Sequence, residues 1–313
     1  MKAAGAEPNF ELVAPSQTVD RTVDQRVDQT VETRDAATVI LVSDRPDLHV
    51  LMMERTRRAA FGPGATVFPG GAVDPGDADA GLAERVLGIA DAAASAHQGI
   101  PRGGLAFRVA ALRECFEEAG LLLARDAATG RPVDHDPALA AARQDLNAGV
   151  MAFGDLLVRR DLVFDARELR LFSHWLTPLG APRRYNTWFF VAPAPEGEEG
   201  THDDNELVAS DWVRPADALA QHAGGRIDLI FPTEMSLRAI SNYDNARDLL
   251  RDLDAVERHA TGQPVVVSEG TGERVALPHD AGRPTMSWTI PLPDILSRAE
   301  RAVAAASATK KAR

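Results

Sequence analysis

The sequence has little cysteine and no long apolar run. One cysteine, Cys115, occurs in 313 residues, so no disulfide can form within the chain. The longest aliphatic run, residues 39–42, is much shorter than the about 20 apolar residues that a membrane-spanning helix needs. The polar N-terminus does not show the basic and then apolar order of a secretory signal. These absences favour a cytoplasmic protein with no membrane partner.

Positive charge is also scarce, because 34 lysines and arginines stand against 46 aspartates and glutamates. The net charge of −12 argues against a surface that binds nucleic acid or anionic lipid broadly. Local groups of arginine could still bind a ligand that carries phosphate. Arg55 and Arg58 follow a predicted strand and Arg184 precedes a later one, so these three are the candidate substrate-binding residues.

The most informative segment is residues 107–121, which carries three glutamates with helical spacing. Glu114, Glu117 and Glu118 occupy positions i, i+3 and i+4, which share one face of a helix. Apolar residues fall on the opposite face, and Gly120 stands where such a helix would end. Crowded carboxylates repel one another unless a cation binds them, and hard divalent cations prefer carboxylate oxygens. The segment therefore predicts an acidic helix with a metal site.

Strands and helices alternate along most of the chain, which predicts an α/β (α+β) fold. Residues 1–34 contain little apolar mass, so a flexible tail is expected there. Valines at every fourth position within it allow one weak amphipathic helix as the alternative. The expected parts are a tail at 1–34, a single domain at 35–300 with insertions at 78–106 and 126–170 and a C-terminal helical extension at 215–300, and a tail at 301–313.

Three local predictions concern the surroundings of the acidic helix. Residues 80–96 are rich in alanine and predict one inserted helix, and the apolar residues 121–124 predict a strand directly after the acidic helix. Upstream, residues 66–68 predict a short strand that runs into a turn at Gly70 and Gly71. Glycines in such a turn let the backbone approach a ligand closely.

The acidic helix and this glycine turn resemble the Nudix hydrolase family, whose signature is G-x5-E-x7-R-E-U-x-E-E-x-G-U, with U a bulky apolar residue. Residues 113–121 match its second half as R-E-C-F-E-E-A-G-L. Residues 71–77 match its first half, except that Asp77 stands where glutamate is usual. Between Asp77 and Arg113 lie 35 residues, an excess of 28 over the compact motif. This split motif is similar to a subfamily whose mammalian member is a peroxisomal coenzyme A diphosphatase.

The resemblance implies a Nudix α/β/α sandwich with a mixed sheet, an insertion within the motif, and a hydrolase that uses Mg²⁺ or Mn²⁺. Glu117 and Glu118 are the first expected metal ligands and Glu114 the third, and a carbonyl oxygen of Gly71 could complete the shell. Without the surrounding motif, three clustered glutamates would be better explained as a solvated helix face.

The catalytic residues implied by the resemblance are Arg113, Glu114 and Glu206. Arg113 is expected to pair with a motif carboxylate and orient it, as a bidentate guanidinium can. The general base is left open between Glu114 and Glu206, and Glu206 is equally consistent with an ordinary surface carboxylate.

The expected substrate is a small molecule that contains a diphosphate. The leading candidate is coenzyme A or an acyl-coenzyme A, which would give 3′,5′-ADP and (acyl-)phosphopantetheine. Two alternatives stay open. One is a hydrolase of ADP-ribose, NADH or another nucleoside diphosphate, and the other is a non-catalytic protein that binds such a nucleotide and regulates a partner. The resemblance also allows a homodimer, and no nucleic-acid partner is expected.

Overall fold

The structure of the chain is a computed structural model. The predicted tail at 301–313 and residues 1–30 of the first tail lie outside the described residues. The structure describes residues 31–59, 62–133, 136–177, 181, 183–195, 197, 199–202 and 207–255, and the backbone of 261–262, 265–269, 272–276 and 290–291.

The described residues form short strands and helices that alternate along the chain. Among them, no helix is both long and apolar enough to cross a bilayer. The strands are β1 (Thr33–Asp44), β2 (Leu48–Arg55), β3 (Ala65–Val67), β4 (Gly70–Ala72), β5 (Val86–Leu87), β6 (Arg125–Asp126), β7 (Leu162–Asp165), β8 (Arg170–Leu176), β9 (Arg184–Pro193), β10 (Leu207–Val213), β11 (Asp228–Leu229), β12 (Thr261–Gly262), β13 (Val265–Glu269), β14 (Gly272–Ala276) and β15 (Ile290–Pro291). The helices are α1 (Ala80–Ala83), α2 (Asp91–Gln98), α3 (Gly104–Ala119), α4 (Pro137–Asn147), α5 (Phe153–Arg159), α6 (Pro215–Ala223), α7 (Phe231–Ile240) and α8 (Ala246–Asp254).

A mixed sheet forms the centre of the molecule. Its strand order is β11-β3-β2-β1-β9-β8-β12, with β10 paired to β2 and β4 paired to β1. Strand β1 runs parallel to β9 and antiparallel to β2 and β4. Because β4 contains both glycines of the predicted turn, this pairing places Gly70 beside Thr38 and Gly71 beside Ala37 of β1.

Different helices cover the two faces of the sheet. Along β1, Val39 and Leu41 belong to the core that contains α3, whereas Ile40 and Val42 belong to the core that contains side chains of α6, α7 and α8. A strand buried on both faces has a continuous apolar sequence, which explains the aliphatic run in β1. The result is a three-layer α/β/α sandwich, and the predicted fold is confirmed.

Helix α3 is the acidic helix of the sequence, and it is buried along most of its length. It begins at Gly104, three residues before the predicted start, and ends at Ala119. Gly120 follows with a φ of +70°, in the left-handed region that glycine adopts readily at a helix end.

The first turn of α3 is capped by the inserted helix α2. The Asp91 carboxylate accepts hydrogen bonds from the backbone N–H groups of Gly103 at 3.1 Å and Leu105 at 3.0 Å. The Ser95 hydroxyl accepts from the N–H of Gly104 at 2.9 Å. These N–H groups have no partner within the helix, and a carboxylate at this end also faces the positive pole of the helix dipole. The insertion therefore explains why α3 starts earlier than its own sequence predicts.

Each of the three local predictions is wrong at least in part. Gly70 and Gly71, called the glycine turn here, lie in strand β4, directly after a bend at Pro69. The stretch 80–96 forms α1 and most of α2, because the chain turns after Ala83 and enters strand β5 before α2 begins at Asp91. Residues 121–124 are buried but do not form a strand, which starts only at Arg125. This apolar run is explained by packing into the core around α3. The boundaries of the predicted domain, insertions and extension stay predictions.

Candidate active site

Arg113 connects the carboxylates of α3 with one another. Its Nη1 donates to Oε1 of Glu114 at 2.8 Å and to Oε2 of Glu117 at 3.0 Å. Its Nη2 donates to the carbonyl oxygen of Ala72 at 2.8 Å, which ties the helix to β4. A planar guanidinium can serve several acceptors in a fixed geometry, unlike a lysine ammonium. The structure thus places the predicted orienting arginine beside two of the predicted ligands.

Asp77 holds the other side of the same guanidinium. Its two carboxylate oxygens accept from Nε of Arg113 at 2.9 Å and from Nη2 at 3.0 Å, and Oδ2 also accepts from the N–H of Asp74 at 2.8 Å. Asp77 is only 4% exposed, and Arg113 is 8% exposed. Such a buried bidentate pair restricts the rotation of Arg113. The aspartate at the position where the motif usually has glutamate therefore still pairs with the motif arginine.

The glycine turn lies against the remaining carboxylate. The N–H of Gly70 donates to Oε2 of Glu118 at 2.8 Å. A Cβ atom on Gly71 would stand 2.5 Å from Oε1 of Glu114, and a Cβ atom on Gly70 would stand 2.4 Å from the carbonyl oxygen of Ala37. These distances are shorter than any ordinary van der Waals contact. Glycine is therefore required at Gly70 for β4 to pair closely with β1, and a side chain at Gly71 would displace the carboxylate of Glu114.

Burial changes the ionisation of the carboxylates around Arg113. It raises the pKa of Glu114 to about 7, although the charge of Arg113 acts in the opposite direction. Burial also raises the pKa of Glu117. Burial alone would lower the pKa of Arg113, but the hydrogen bond to Asp77 and the neighbouring carboxylates raise it. The carboxylates are thus poorly solvated, and a bound cation would stabilise their charged forms.

The donor set fits a hard divalent cation. Glu114, Glu117, Glu118 and the backbone of the glycine turn supply oxygen donors, which Mg²⁺ and Mn²⁺ prefer. Within the part of the chain that the structure describes, no three acidic, histidine or cysteine side chains stand in a ready metal-ligand arrangement. The carboxylates of Glu114 and Glu117 accept hydrogen bonds from Arg113, and that of Glu118 accepts one from the N–H of Gly70.

Comparison with known proteins shows the family to which the chain belongs. The family model described as the NUDT19 Nudix domain matches residues 80–239, just over half of the chain. The chain belongs to the Nudix hydrolase family. It is 30% identical to a Nudix hydrolase from Alicyclobacillus acidocaldarius, whose crystal structure matches with a TM-score of 0.61 over 71% of this chain and 97% of that one. Nudix hydrolases cleave diphosphate linkages and generally use divalent metal ions.

Two relatives of this Nudix hydrolase carry the name acyl-coenzyme A diphosphatase NUDT19. The protein from Gallus gallus is 29% identical over 302 residues, with 79% of each chain covered. The protein from Homo sapiens is 29% identical over 277 residues, which cover 74% of this chain and 71% of the human one.

The structure brings one group of predicted site residues together. Arg184 donates to two main-chain carbonyl oxygens, at 3.2 and 3.3 Å. Arg58 is exposed, and Arg55 is half-buried at the end of β2, opposite Leu207. Glu206 lies outside the described residues. The residues brought together around the glycine turn are Gly71, Arg113, Glu114, Glu117 and Glu118.

Two residues at the site were not predicted from the sequence as site residues. Asp77 could have been found, because it occupies the glutamate position of the first half of the motif. Arg143 of α4 donates to the carbonyl oxygens of Glu117 and Glu118, which lie 26 and 25 residues away in the chain. No local pattern indicates such a distant contact.

Proposed function

We propose that this protein hydrolyses the diphosphate linkage of coenzyme A or of an acyl-coenzyme A, with Mg²⁺ or Mn²⁺ as the cofactor. The products would be 3′,5′-ADP and (acyl-)phosphopantetheine. The observation that carries the proposal is the cluster of Glu114, Glu117 and Glu118 around Arg113, beside the glycine turn. The choice of substrate is supported by the relatives from Gallus gallus and Homo sapiens, which are named acyl-coenzyme A diphosphatases.

The residues of the cluster have separate tasks in this mechanism. Glu117 and Glu118 would hold the cation, with Glu114 and the carbonyl oxygen of Gly71 completing the oxygen donors. When bound, a divalent cation offsets the charge of the two phosphates and lowers the pKa of the attacking water. Arg113 would keep two of these carboxylates at the glycine turn, and it would itself be held in place by Asp77.

The attacking water must transfer a proton to a carboxylate, and Glu114 and Glu206 are the two candidates. Glu114 is supported by its position, since its carboxylate lies directly against Gly71. Glutamine variants of both residues would separate the roles. The general base is the residue whose loss abolishes turnover while Mn²⁺ still binds, because loss of a ligand would weaken Mn²⁺ binding as well.

The 3′-phosphate distinguishes coenzyme A from ADP-ribose and NADH. We propose Arg55, Arg58 and Arg184 as the residues that bind it, since charge-assisted hydrogen bonds to phosphate contribute about 1.5–3 kcal/mol each. Coenzyme A should then have a kcat/KM at least about tenfold above that of 3′-dephospho-coenzyme A. Equal values for the two substrates would remove the 3′-phosphate site from the proposal.

A substrate panel tests the proposed function directly. The purified chain would be offered coenzyme A, an acyl-coenzyme A, ADP-ribose and NADH with Mg²⁺ or Mn²⁺, and the products would be separated by chromatography. Release of 3′,5′-ADP from coenzyme A is the expected result. Faster cleavage of ADP-ribose or NADH would overturn the substrate choice, and tight binding without cleavage of any compound would indicate a regulatory protein. The cytoplasmic location and the homodimer stay predictions.

A further inference from the structure

The last turn of α3 is held by a guanidinium from outside the Nudix motif. Arg143, on α4, donates from Nε to the carbonyl oxygen of Glu117 at 2.9 Å and from Nη2 to that of Glu118 at 2.7 Å. Asn147, one turn further along α4, donates to the same Glu117 oxygen at 3.3 Å. Carbonyls in the last turn of a helix lack a partner within it, and a cation there faces the negative pole of the helix dipole.

The same guanidinium holds the segment that follows β9. Nη1 of Arg143 donates to the hydroxyl of Thr201 at 3.0 Å, and Nη2 donates to its carbonyl oxygen at 2.7 Å. The N–H of Thr201 in turn donates to the carbonyl oxygen of Ala119 at 2.8 Å. Arg143 therefore joins three parts of the chain, namely α4, the end of α3 and the segment at Thr201.

Gly120 of the motif leaves the space that this contact needs. A Cβ atom at Gly120 would stand 2.8 Å from Nη1 of Arg143 and 3.2 Å from the hydroxyl oxygen of Thr201. The glycine thus allows the guanidinium to lie directly over the end of the helix, in addition to adopting the left-handed conformation that ends it.

The two carbonyls that Arg143 binds belong to the residues whose carboxylates face the site. The backbone of Glu117 and Glu118 is held from α4, while their side chains reach Arg113 and Gly70. We propose that Arg143 is a positioning residue, which fixes the last turn of α3 so that both carboxylates stay directed at the glycine turn. This inference rests on the proposed role of Glu117 and Glu118 as metal ligands.

A loosened last turn would let the two carboxylates move. A displacement of about 1 Å at reacting groups can reduce turnover about 100-fold. Such a loss need not be accompanied by a comparable loss of stability, because helix ends open locally at low cost. A merely structural arginine would show the opposite pattern, with a lower Tm and unchanged turnover of the folded molecules.

The chain offers a matched control at the start of α4. Arg160 forms a bidentate pair with Asp136, which caps the start of α4 through the N–H of Leu139. Within the part of the chain that the structure describes, the side chain of Arg160 pairs with Asp136 and makes no hydrogen bond to α3 or Thr201, so this pair holds only the start of α4. Arg143→Met and Arg160→Met therefore each remove one guanidinium that holds α4, the first from α4 itself and the second from the residue that follows α5.

The test measures kcat, KM, Tm and Mn²⁺ affinity on the full chain, the last by paramagnetic resonance without substrate. Arg143→Met should lower kcat about 10- to 100-fold with little change in KM, and should weaken Mn²⁺ binding. Arg143→Lys should recover only part of the kcat and part of the Mn²⁺ affinity, since one ammonium cannot reach the two carbonyl oxygens and Thr201 together. Arg160→Met breaks a partly exposed pair, so it should change Tm little and leave kcat and Mn²⁺ affinity unchanged.

The other outcomes would overturn the positioning role of Arg143, the proposed substrate, or both. If Arg143→Met has the kcat and Mn²⁺ affinity of the native chain, as Arg160→Met should, the positioning role is overturned, whatever the change in Tm. If Arg143→Met does not fold, the same comparison is made with Arg143→Lys and Thr201→Val. If the native chain binds Mn²⁺ through Glu118 but cleaves no coenzyme A, only the proposed substrate fails, and the affinity measurements still decide on Arg143. Absence of Mn²⁺ binding by the native chain would overturn both.

Discussion

The two ends of helix α3 are anchored by groups of opposite charge from two different segments. At the first turn, Asp91 and Ser95 of α2 accept hydrogen bonds from backbone N–H groups. At the last turn, Arg143 of α4 donates hydrogen bonds to backbone carbonyls. Each charge has the sign that stabilises its end of the helix dipole.

The ends differ in their distance from the carboxylate cluster. The first turn lies about 20 Å along the helix axis from Glu117, whereas the last turn contains Glu117 and Glu118 themselves. Similar anchors should therefore have different consequences, with stability depending on both ends and turnover depending on the last turn. Segments outside a motif can therefore determine the positions of the motif's side chains.

The largest effect is expected from Glu118→Gln. The change removes a full charge from the proposed metal site but keeps an oxygen that the N–H of Gly70 can still reach. Turnover should fall about 1,000-fold or more, because a neutral amide is a much weaker ligand for a hard cation, while Tm stays close to that of the native chain. Steady-state kinetics and thermal melts measure the two quantities.

Glu168→Gln serves as the matched control for that change. Glu168 pairs with Arg125 at 2.7 Å on a partly exposed surface away from α3, so little effect on turnover is expected. Native turnover of the Glu118→Gln variant would show that the last turn of α3 is not the catalytic end.

A large loss of stability is expected from Arg113→Met. The change leaves the buried carboxylate of Asp77 without its partner, and breaking a buried pair costs about 3–5 kcal/mol. Denaturant unfolding should show this loss, together with lower turnover. Arg167→Met, which removes an exposed partner of Asp165, should change stability little. Equal effects of the two changes would mean that Arg113 is not the centre of a buried cluster.

The smallest effect is expected from Asp91→Asn at the first turn. The backbone hydrogen bond from Leu105, followed by that from Gly103, lowers the pKa of Asp91 below its ordinary value of 3.8. Its charge should therefore stabilise the fold above pH 3.8, by about 0.3–1 kcal/mol, and this contribution should disappear as the pH falls through the lowered pKa.

Urea unfolding of the native chain and of the Asp91→Asn variant at several pH values measures that difference. The gap between them should shrink at acid pH, while kcat at neutral pH stays the same in both. A loss of kcat as large as that expected for Arg143→Met would erase the distinction between the two ends of α3.

The parts of the site that could be predicted are those encoded by neighbouring residues. Glu114, Glu117 and Glu118 share a helix face because of their spacing, and Gly70 and Gly71 mark a tight turn by their composition. Local spacing and composition are visible without any knowledge of the tertiary structure. The acidic helix and the α/β sandwich were therefore within reach of the sequence, whereas Gly70 and Gly71 lie in strand β4, whose pairing with β1 no local pattern shows.

The parts that could not be predicted depend on contacts between distant segments. The start of α3 depends on Asp91 and Ser95, and the contact of Arg143 bridges 25 residues. The helix that the alanine-rich composition favoured is interrupted after Ala83, where the chain turns and forms strand β5, which pairs with the distant strand β7. Pairing of Arg113 with Asp77 crosses the whole insertion, so only the motif resemblance could have indicated it.

The most direct test of the account is a crystal structure of the protein grown with Mn²⁺, with the ion located by its anomalous scattering. The account predicts the ion at the last turn of α3, bound by carboxylate oxygens of Glu117 and Glu118 and facing the carbonyl oxygen of Gly71. Arg143 should still donate hydrogen bonds to the backbone carbonyls of Glu117 and Glu118. The account would be contradicted if the active protein bound the ion at other residues while the carboxylate of Glu118 still accepted its hydrogen bond from the N–H of Gly70.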